Sequence, residues 1–257
     1  MEYKVEEIVN FIENWAREEY QEEWDNSGYQ IAFKKKSVSS VVLALDLTDN
    51  VVDEAVKRKA KLIITHHPLF FEGVKTISED EYKGANIIKL IKNDISLYSA
   101  HTSLDIAKDG VNYNIIKELD LNNSMGLSLT DKGNFIGLYA DNNKKYSFEE
   151  ILSKLRNING NLKIYGRLPG KITKIAVCGG SGFDLIDDVL KIDAEIFITG
   201  DIKHHQAQTA YEKNLCLIDI GHYEGEVPVL DEIEKKLKNN FKIDVYKYVN
   251  NDFKVDL

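Results

Sequence analysis

One strand–turn–helix–strand pattern occurs twice in this 257-residue chain, and the repetition limits the folds open to it. VVLALDLTDNVVDEAVKRKAKLIIT (Val41 to Thr65) aligns with AVCGGSGFDLIDDVLKIDAEIFIT (Ala176 to Thr199). Leu43 meets Val177, Val51 meets Leu185, Asp53 meets Asp187, Ala60 meets Ala194 and Thr65 meets Thr199, all at one offset. Each copy reads as an apolar run, a polar turn, a helical-period segment and a second apolar run. The second run ends in His66-His67 in one copy and in Gly200-Asp201 in the other. A second offset pairs SLYSAHTSLD (Ser96 to Asp105) with LIDIGHYEGE (Leu217 to Glu226). His101 then meets His222, and Asp105 meets Glu226. Strands alternating with helices predict an α/β fold built as two related α/β units with mixed sheets. We expect the units at roughly residues 1–125 and 126–257, with the chain ends free to cross between them.

Other segments fit this plan. Residues from about 3 to 20 read as an amphipathic helix, and Trp24 to Gly28 as a turn. Tyr82 to Lys92 and Phe148 to Ile158 read as helices, and LSLTDKGNFIGLYA as a hairpin turning at Lys132-Gly133.

All six histidines fall in four short segments that follow apolar runs: His66-His67, His101, His204-His205 and His222. Neutral imidazole is the commonest metal ligand, and ligands of α/β sheets gather at the carboxyl ends of strands. Consecutive strand residues point in opposite directions, so His66 and His67 suit two metals better than one. Pro68 stops that strand and fixes the turn. Asp105 and Glu226 each lie four residues beyond a histidine, just past a strand. A carboxylate can bridge two cations and hold them about 3.5–4 Å apart. The residues therefore predict a dinuclear site with His66, His67, Asp105, His222 and Glu226 as ligands. His101 ligates, orients a ligand or moves a proton. His204 and His205 reach the metals, contact substrate or face solvent.

Composition narrows the function classes. With 33 Lys and Arg against 42 Asp and Glu, the net charge of −9 argues against a basic coat for nucleic acid over the whole surface. Cys178 and Cys216, two cysteines far apart in apolar runs, make no disulfide framework or Cys-type zinc site. The acidic, helix-periodic N-terminus is unlike a signal peptide, and no apolar run approaches a membrane span. A cytoplasmic protein without membrane partners is expected. No P-loop pattern and no nucleophile-elbow pattern occurs. GGSGF (Gly179 to Phe183) reads as a tight glycine turn, with phosphate contact as the alternative. WDNSG (Trp24 to Gly28) reads as a buried anchor in a turn, with a wall of the active-site cleft as the alternative.

Taken together, WDNSG, LALDLT, ITHHPLFF, AHTSLD followed by GVN, VCGGSG, ITGDIKHH and DIGHYEGE resemble the Nif-three-like family nearly end to end. Its members are known as dinuclear metal-binding proteins or GTP cyclohydrolase 1 type 2 homologues. The chain matches the family's short form, without the inserted domain of longer members. The resemblance implies two duplicated α/β units enclosing a dinuclear metal site, assembled as a toroidal homohexamer. It implies that His66 and Asp105 hold one metal, His67 and His222 the other, with Glu226 bridging. Two divalent ions per subunit are expected, iron or zinc before manganese, nickel or cobalt. The implied activity is metal-dependent hydrolysis of a nucleotide or related small molecule, with His101 or one of His204 and His205 as general acid or base. The alternative is a non-catalytic ring that binds DNA or handles metal.

Overall fold

The structure, a computed structural model, describes residues 3–254. The chain divides into one unit of Met1–Ala107 with Leu230–Leu257 and a second unit of Lys108–Val229. The division falls earlier than the expected boundary near residue 125, and the C-terminal segment returns to the first unit.

The first unit opens with β1 (Tyr3–Lys4), which pairs antiparallel with β3 (Ser37–Val38). Helix α1 (Val5–Glu13) buries Val5, Ile8, Val9 and Ile12, the helical spacing read from the sequence. It is shorter than expected: Arg17 is extended (φ −65°, ψ 133°), and a separate 3₁₀ turn follows at Glu18–Tyr20. Strand β2 (Gly28–Ile31) precedes β4 (Ser40–Ala44), α2 (Asp49–Lys57), β5 (Leu62–Thr65), α3 (Tyr82–Lys92) and β6 (Ser96–Ser99). Strands β4, β5 and β6 are parallel neighbours, and β2 runs antiparallel along β6. All three parallel strands are buried throughout, which explains runs such as VVLA and LIIT that lack polar alternation. Thr48 caps α2 by accepting from Val51 N at 3.3 Å. One face of the sheet packs Val42, Ala44, Ile63 and Leu97 against Val51, Val52 and Ala55 of α2 and Ile87 and Leu90 of α3. Short helix α4 (Thr102–Ile106) closes this part of the chain.

The second unit starts with α5 (Val111–Glu118) and the hairpin β7 (Met125–Leu129) and β8 (Phe135–Asp141). The hairpin turns at Gly133 with φ +80°, at the dipeptide read as its turn. Then follow α6 (Phe148–Leu155), β9 (Lys163–Gly166), β10 (Lys174–Val177), α7 (Ile186–Lys191), β11 (Ile196–Thr199), α8 (His204–Glu212), β12 (Cys216–Asp219) and α9 (His222–Glu226). Ser147 and Glu150 form a capping box on α6, which ends at Leu155, before the expected Ile158. The sheet order is β7-β8-β10-β11-β12-β9, with β10, β11 and β12 parallel and β8 and β9 antiparallel to them. Alternate residues face opposite layers. Ile175, Val177, Ile196 and Ile198 meet α5 and α6 through Ile115, Ile116, Ile151 and Leu155. Ala176, Phe197 and Leu217 share the other face with Val189 of α7 and Ala210 of α8.

Helix α10 (Val229–Asn240) and β13 (Asp244–Lys247) complete the first unit, whose sheet order is β13-β4-β5-β6-β2. The architecture is mixed α/β in both units. No helix among the described residues is long and apolar enough to cross a membrane.

Candidate metal centre

In the first unit the end of β5 holds two histidines in fixed positions. His66 N and His67 N donate to Ala44 O and Leu45 O at 3.2 and 2.9 Å, continuing the β4–β5 ladder past its last strand residue. Thr65 Oγ1 and Ser99 Oγ donate to His67 O at 2.9 and 3.2 Å, which pins the turn. His66 is fully buried, and its Nδ1–H donates to Ala100 O at 2.8 Å. His67 is half-buried, and its Nδ1–H donates to Asp46 Oδ1 at 2.8 Å. Both rings therefore turn Nε2 to the same region. A metal-binding histidine typically gives its other ring N–H to a carboxylate or backbone carbonyl, and these two do so.

His101 and Asp105 come from the segment after β6. One ring nitrogen from each of His66, His67 and His101 lies within 4.8 Å of the other two, a grouping that could hold a metal ion. Asp105 Oδ1 stands 3.6 Å from His66 Nε2. Ligands bound at about 2.1 Å in a tetrahedral shell sit roughly 3.4 Å apart, so this spacing fits two donors to one ion. His101 is set by Asp25: Nδ1–H donates to Asp25 Oδ1 at 2.8 Å. The other carboxylate oxygen accepts from Ser27 Oγ at 2.9 Å and Thr102 N at 3.0 Å. Burial pushes the Asp25 carboxyl up, but the hydrogen bonds and charge of His101, with Thr102 and Ser27, outweigh it and hold the group well below the usual carboxylate range. Asp25 is thus a permanent anion behind the imidazole.

In the second unit His222 and Glu226 lie one helical turn apart on α9, with Nε2 and Oε2 at 3.3 Å. Asp201 Oδ2 accepts from His222 Nδ1–H at 2.8 Å, repeating the arrangement seen at His67. Gly221 begins α9 with φ +80°, and a Cβ there would come 2.3 Å from Glu224 Oε2. Gly180, in the GGSGF turn, has φ +66°; its Cβ would lie 2.4 Å from Glu226 Oε1 and 3.7 Å from His222 Nε2. The tight turn expected at GGSGF is present, and it lets backbone pass directly against the His–Glu pair.

His204 and His205 are exposed on the first turn of α8. The backbone carbonyl of His205 accepts from Thr209 Oγ1 at 3.0 Å. Trp24 corrects an expectation: the indole is 60% exposed, so it is no buried anchor. It stands against His101, with ring centroids 5.6 Å apart. The anchoring in WDNSG is done by Asp25 and Ser27, whose polar groups can satisfy the backbone after β6. The sequence reading also passed over Asp25, Asp46 and Asp201 as supporting acids. Asp201 shares the ITGDIKHH motif with two histidines, whereas Asp25 in WDNSG and Asp46 in LALDLT stand in motifs without one. Cys178 and Cys216 are buried thiols outside any disulfide, as expected.

The family model for Duf34/NIF3 (NGG1p interacting factor 3) matches residues 3–252. The chain belongs to this family. A GTP cyclohydrolase 1 type 2 homolog of Clostridium perfringens is 38% identical over 255 residues, covering 98% of this chain and 97% of the relative. A protein of the same name from Methanocaldococcus jannaschii is 32% identical over 248 residues, covering 94% and 98%. Among solved structures, reduced HcgD from Methanocaldococcus jannaschii superposes with a TM-score of 0.87 at 30% identity, covering 96% of this chain and 98% of that one. A Staphylococcus aureus hypothetical protein gives 0.86 at 28% identity and 99% coverage of both. The resemblance read from the motifs is therefore a family membership.

Proposed function

We propose that this NIF3-family chain binds two divalent metal ions and hydrolyses a nucleotide or related small molecule. The observation that carries the reading is the common posture of His66, His67 and His222. Each commits Nδ1–H to an oxygen at 2.8 Å and keeps Nε2 as its metal-donating nitrogen. Histidines placed only for packing have no reason to share that posture. In this reading, which the family resemblance implies, His66 and Asp105 would hold one ion and His67 and His222 the other, with Glu226 as a ligand common to both. Imidazole and carboxylate donors suit iron or zinc first, then manganese, nickel or cobalt. Bound ions of this kind supply a hydroxide at neutral pH and polarise the attacked bond. His101, oriented by Asp25, passes a proton to or from substrate through Nε2. His205 is the second candidate for that proton transfer. The name carried by the relatives favours GTP-like ring opening. Duplication of one ancestral unit, a ring-shaped homohexamer and a cytoplasmic location complete the proposal; the parallel triplets β4-β5-β6 and β10-β11-β12, each flanked by an antiparallel strand, support the first of these.

The test is hydrolysis of GTP and other nucleotides by protein reconstituted with each divalent ion. Metal-dependent turnover is expected, abolished in Glu226→Ala and lowered about 10²- to 10⁴-fold in His101→Ala. Turnover unchanged in Glu226→Ala contradicts the reading. Salt-dependent DNA binding that survives His66→Ala, with no turnover, replaces the hydrolase with a binding protein.

A further inference from the structure

A polar cavity of the first unit lies apart from its histidines. It has a volume of about 340 Å³ and is lined by Glu6, Asn10, Glu13, Glu18, Tyr29 and Lys34. Sites for small molecules run from about 300 to 1,000 Å³, so this one suits a compact ligand. Glu6, Asn10 and Glu13 follow the i, i+4, i+7 spacing of one stripe along α1, beside the buried stripe of Val5, Ile8, Val9 and Ile12. Glu6 N donates to Lys34 O at 3.0 Å, which ties the Lys34 loop to the start of the helix. Gly28 has φ +127°, and a Cβ there would come 2.8 Å from Glu18 Oε1. The glycine thus leaves room for that carboxylate against the backbone.

Three carboxylates and one ammonium share this lining, and the ammonium does not pair with them. Lys34 Nζ lies over the Tyr29 ring instead, 4.7 Å from its centroid. Among the described residues, Glu6, Glu13 and Glu18 have no Lys, Arg or His nitrogen within 4.0 Å. Two hydroxyls join them. Tyr29 Oη, at the cavity wall, and Tyr98 Oη, behind it, are buried and make no hydrogen bond. Tyr98 is fully buried. It is the register partner of Tyr29 across β6 and β2, so both side chains leave the same face of the sheet. Their rings meet edge to face at 5.5 Å. Burial first, and then the charges of Glu18 and Glu13, push the Tyr98 phenol up, so its hydroxyl lies within the field of the carboxylates that line the cavity. A buried polar atom left unpaired is costly, and an occupant of the cavity with hydrogens to donate removes that cost.

We infer that this cavity binds a small organic dication, whose two ammonium groups donate to the glutamates and to the tyrosine hydroxyl oxygens. Three negative groups against one positive leave a surplus that a dication neutralises. A bare metal ion fits less well. His66, His67 and His101 bring donor atoms within 4.8 Å of one another, and the three glutamates form no such group among the described residues. Ammonium groups joined by a short chain can reach carboxylates that stand apart. The inference goes beyond the proposed hydrolase and holds whether or not the histidine site turns over a substrate.

The experiment titrates the full chain with putrescine, the four-carbon diamine, by calorimetry and by equilibrium dialysis. Butylamine, butanediol and magnesium chloride are compared at matched ionic strength. Saturable binding of putrescine is expected, about tenfold tighter than butylamine, with none of butanediol. Glu13→Gln and Glu18→Gln should each weaken it about tenfold. Tyr98→Phe should weaken it about 2- to 10-fold, and the fold should survive because that hydroxyl bonds nothing within the chain. Lys34 is exposed, and Lys34→Gln should tighten binding by removing a competing charge, a gain that a damaged fold cannot produce. No saturable binding by either method, equal affinity for butylamine, or affinity unchanged in both glutamate variants overturns the site. Displacement of putrescine by magnesium at matched ionic strength also overturns it, in favour of a metal site.

Discussion

The two units carry the same succession of three parallel strands and an antiparallel edge, yet they load their strand ends differently. After β5 the first unit places His66-His67, and after β11 the second places Gly200-Asp201. Steric fit accounts for the difference. A Cβ on Gly200 would lie 2.7 Å from Gly180 O and 2.8 Å from His222 N, so no side chain fits there. Asp201, which aligns with His67, instead accepts from His222 Nδ1–H and orients that ring. In the first unit that orienting task falls to Asp46, which follows β4 instead. The first unit is thus donor-rich, with one buried and two half-buried imidazoles, and the second gives one half-buried imidazole and one buried carboxylate. A strand end after a parallel sheet offers a place for a ligand, and local packing decides whether a ligand or its supporter occupies it.

The sharpest way to break this comparison is to remove one imidazole from each unit in metal-free protein. His66→Ala leaves a cavity and strips the partner from Ala100 O, so a loss of about 2–4 kcal/mol is expected in urea unfolding. His222 has a side chain 34% exposed, and His222→Ala should cost about 1 kcal/mol or less. Equal losses would show that the units do not differ as described. Gly200→Ala comes next. Overpacking against backbone should cost about 1–3 kcal/mol, whereas exposed Gly170, with nothing within 4 Å of a Cβ, should accept Ala at almost no cost.

Asp46→Ala and Asp201→Ala test the paired supporting roles. Each should lower metal affinity about 10- to 100-fold by freeing a ligand ring, measured by competition with a chromophoric chelator. A loss in only one variant would separate the units again, this time in function. A smaller effect concerns pH. Both cysteines belong to the second unit, so thiol chemistry reports on that unit alone. Burial pushes the Cys216 thiol up from 9.0 to about 12. The folded state therefore favours the protonated thiol, and this contribution is intact below pH 9 and lost as pH rises from 9 towards about 12. Native protein at pH 8.5 should resist iodoacetamide at Cys216 and react once unfolded; rapid native alkylation would contradict that burial.

Much of the candidate site was legible in the sequence because histidine is a rare residue type and these histidines stand at the ends of apolar runs. His66, His67, His101 and Asp105 meet in one unit, and His222 meets Glu226 in the other. The supporting aspartates were less legible. Asp is common in turns, and Asp46 and Asp201 occupy non-equivalent positions of the repeat, so alignment alone could not pair them. Trp24 misled because a large indole normally signals burial. Its neighbours Asp25 and Ser27 anchor the turn instead, leaving the ring outside. The boundary between units was blurred because α5 follows the first histidine–acid segment directly and belongs to the second core. Helix α1 was overextended because apolar spacing persists past the point where Arg17 turns extended.

The most direct measurement is metal content per chain by elemental analysis, on untagged protein purified without chelator, beside Glu226→Ala. The account predicts close to two divalent ions in the parent and a clear loss in the variant. No stoichiometric metal after reconstitution across the divalent series, or an unchanged content in Glu226→Ala, would contradict the dinuclear centre.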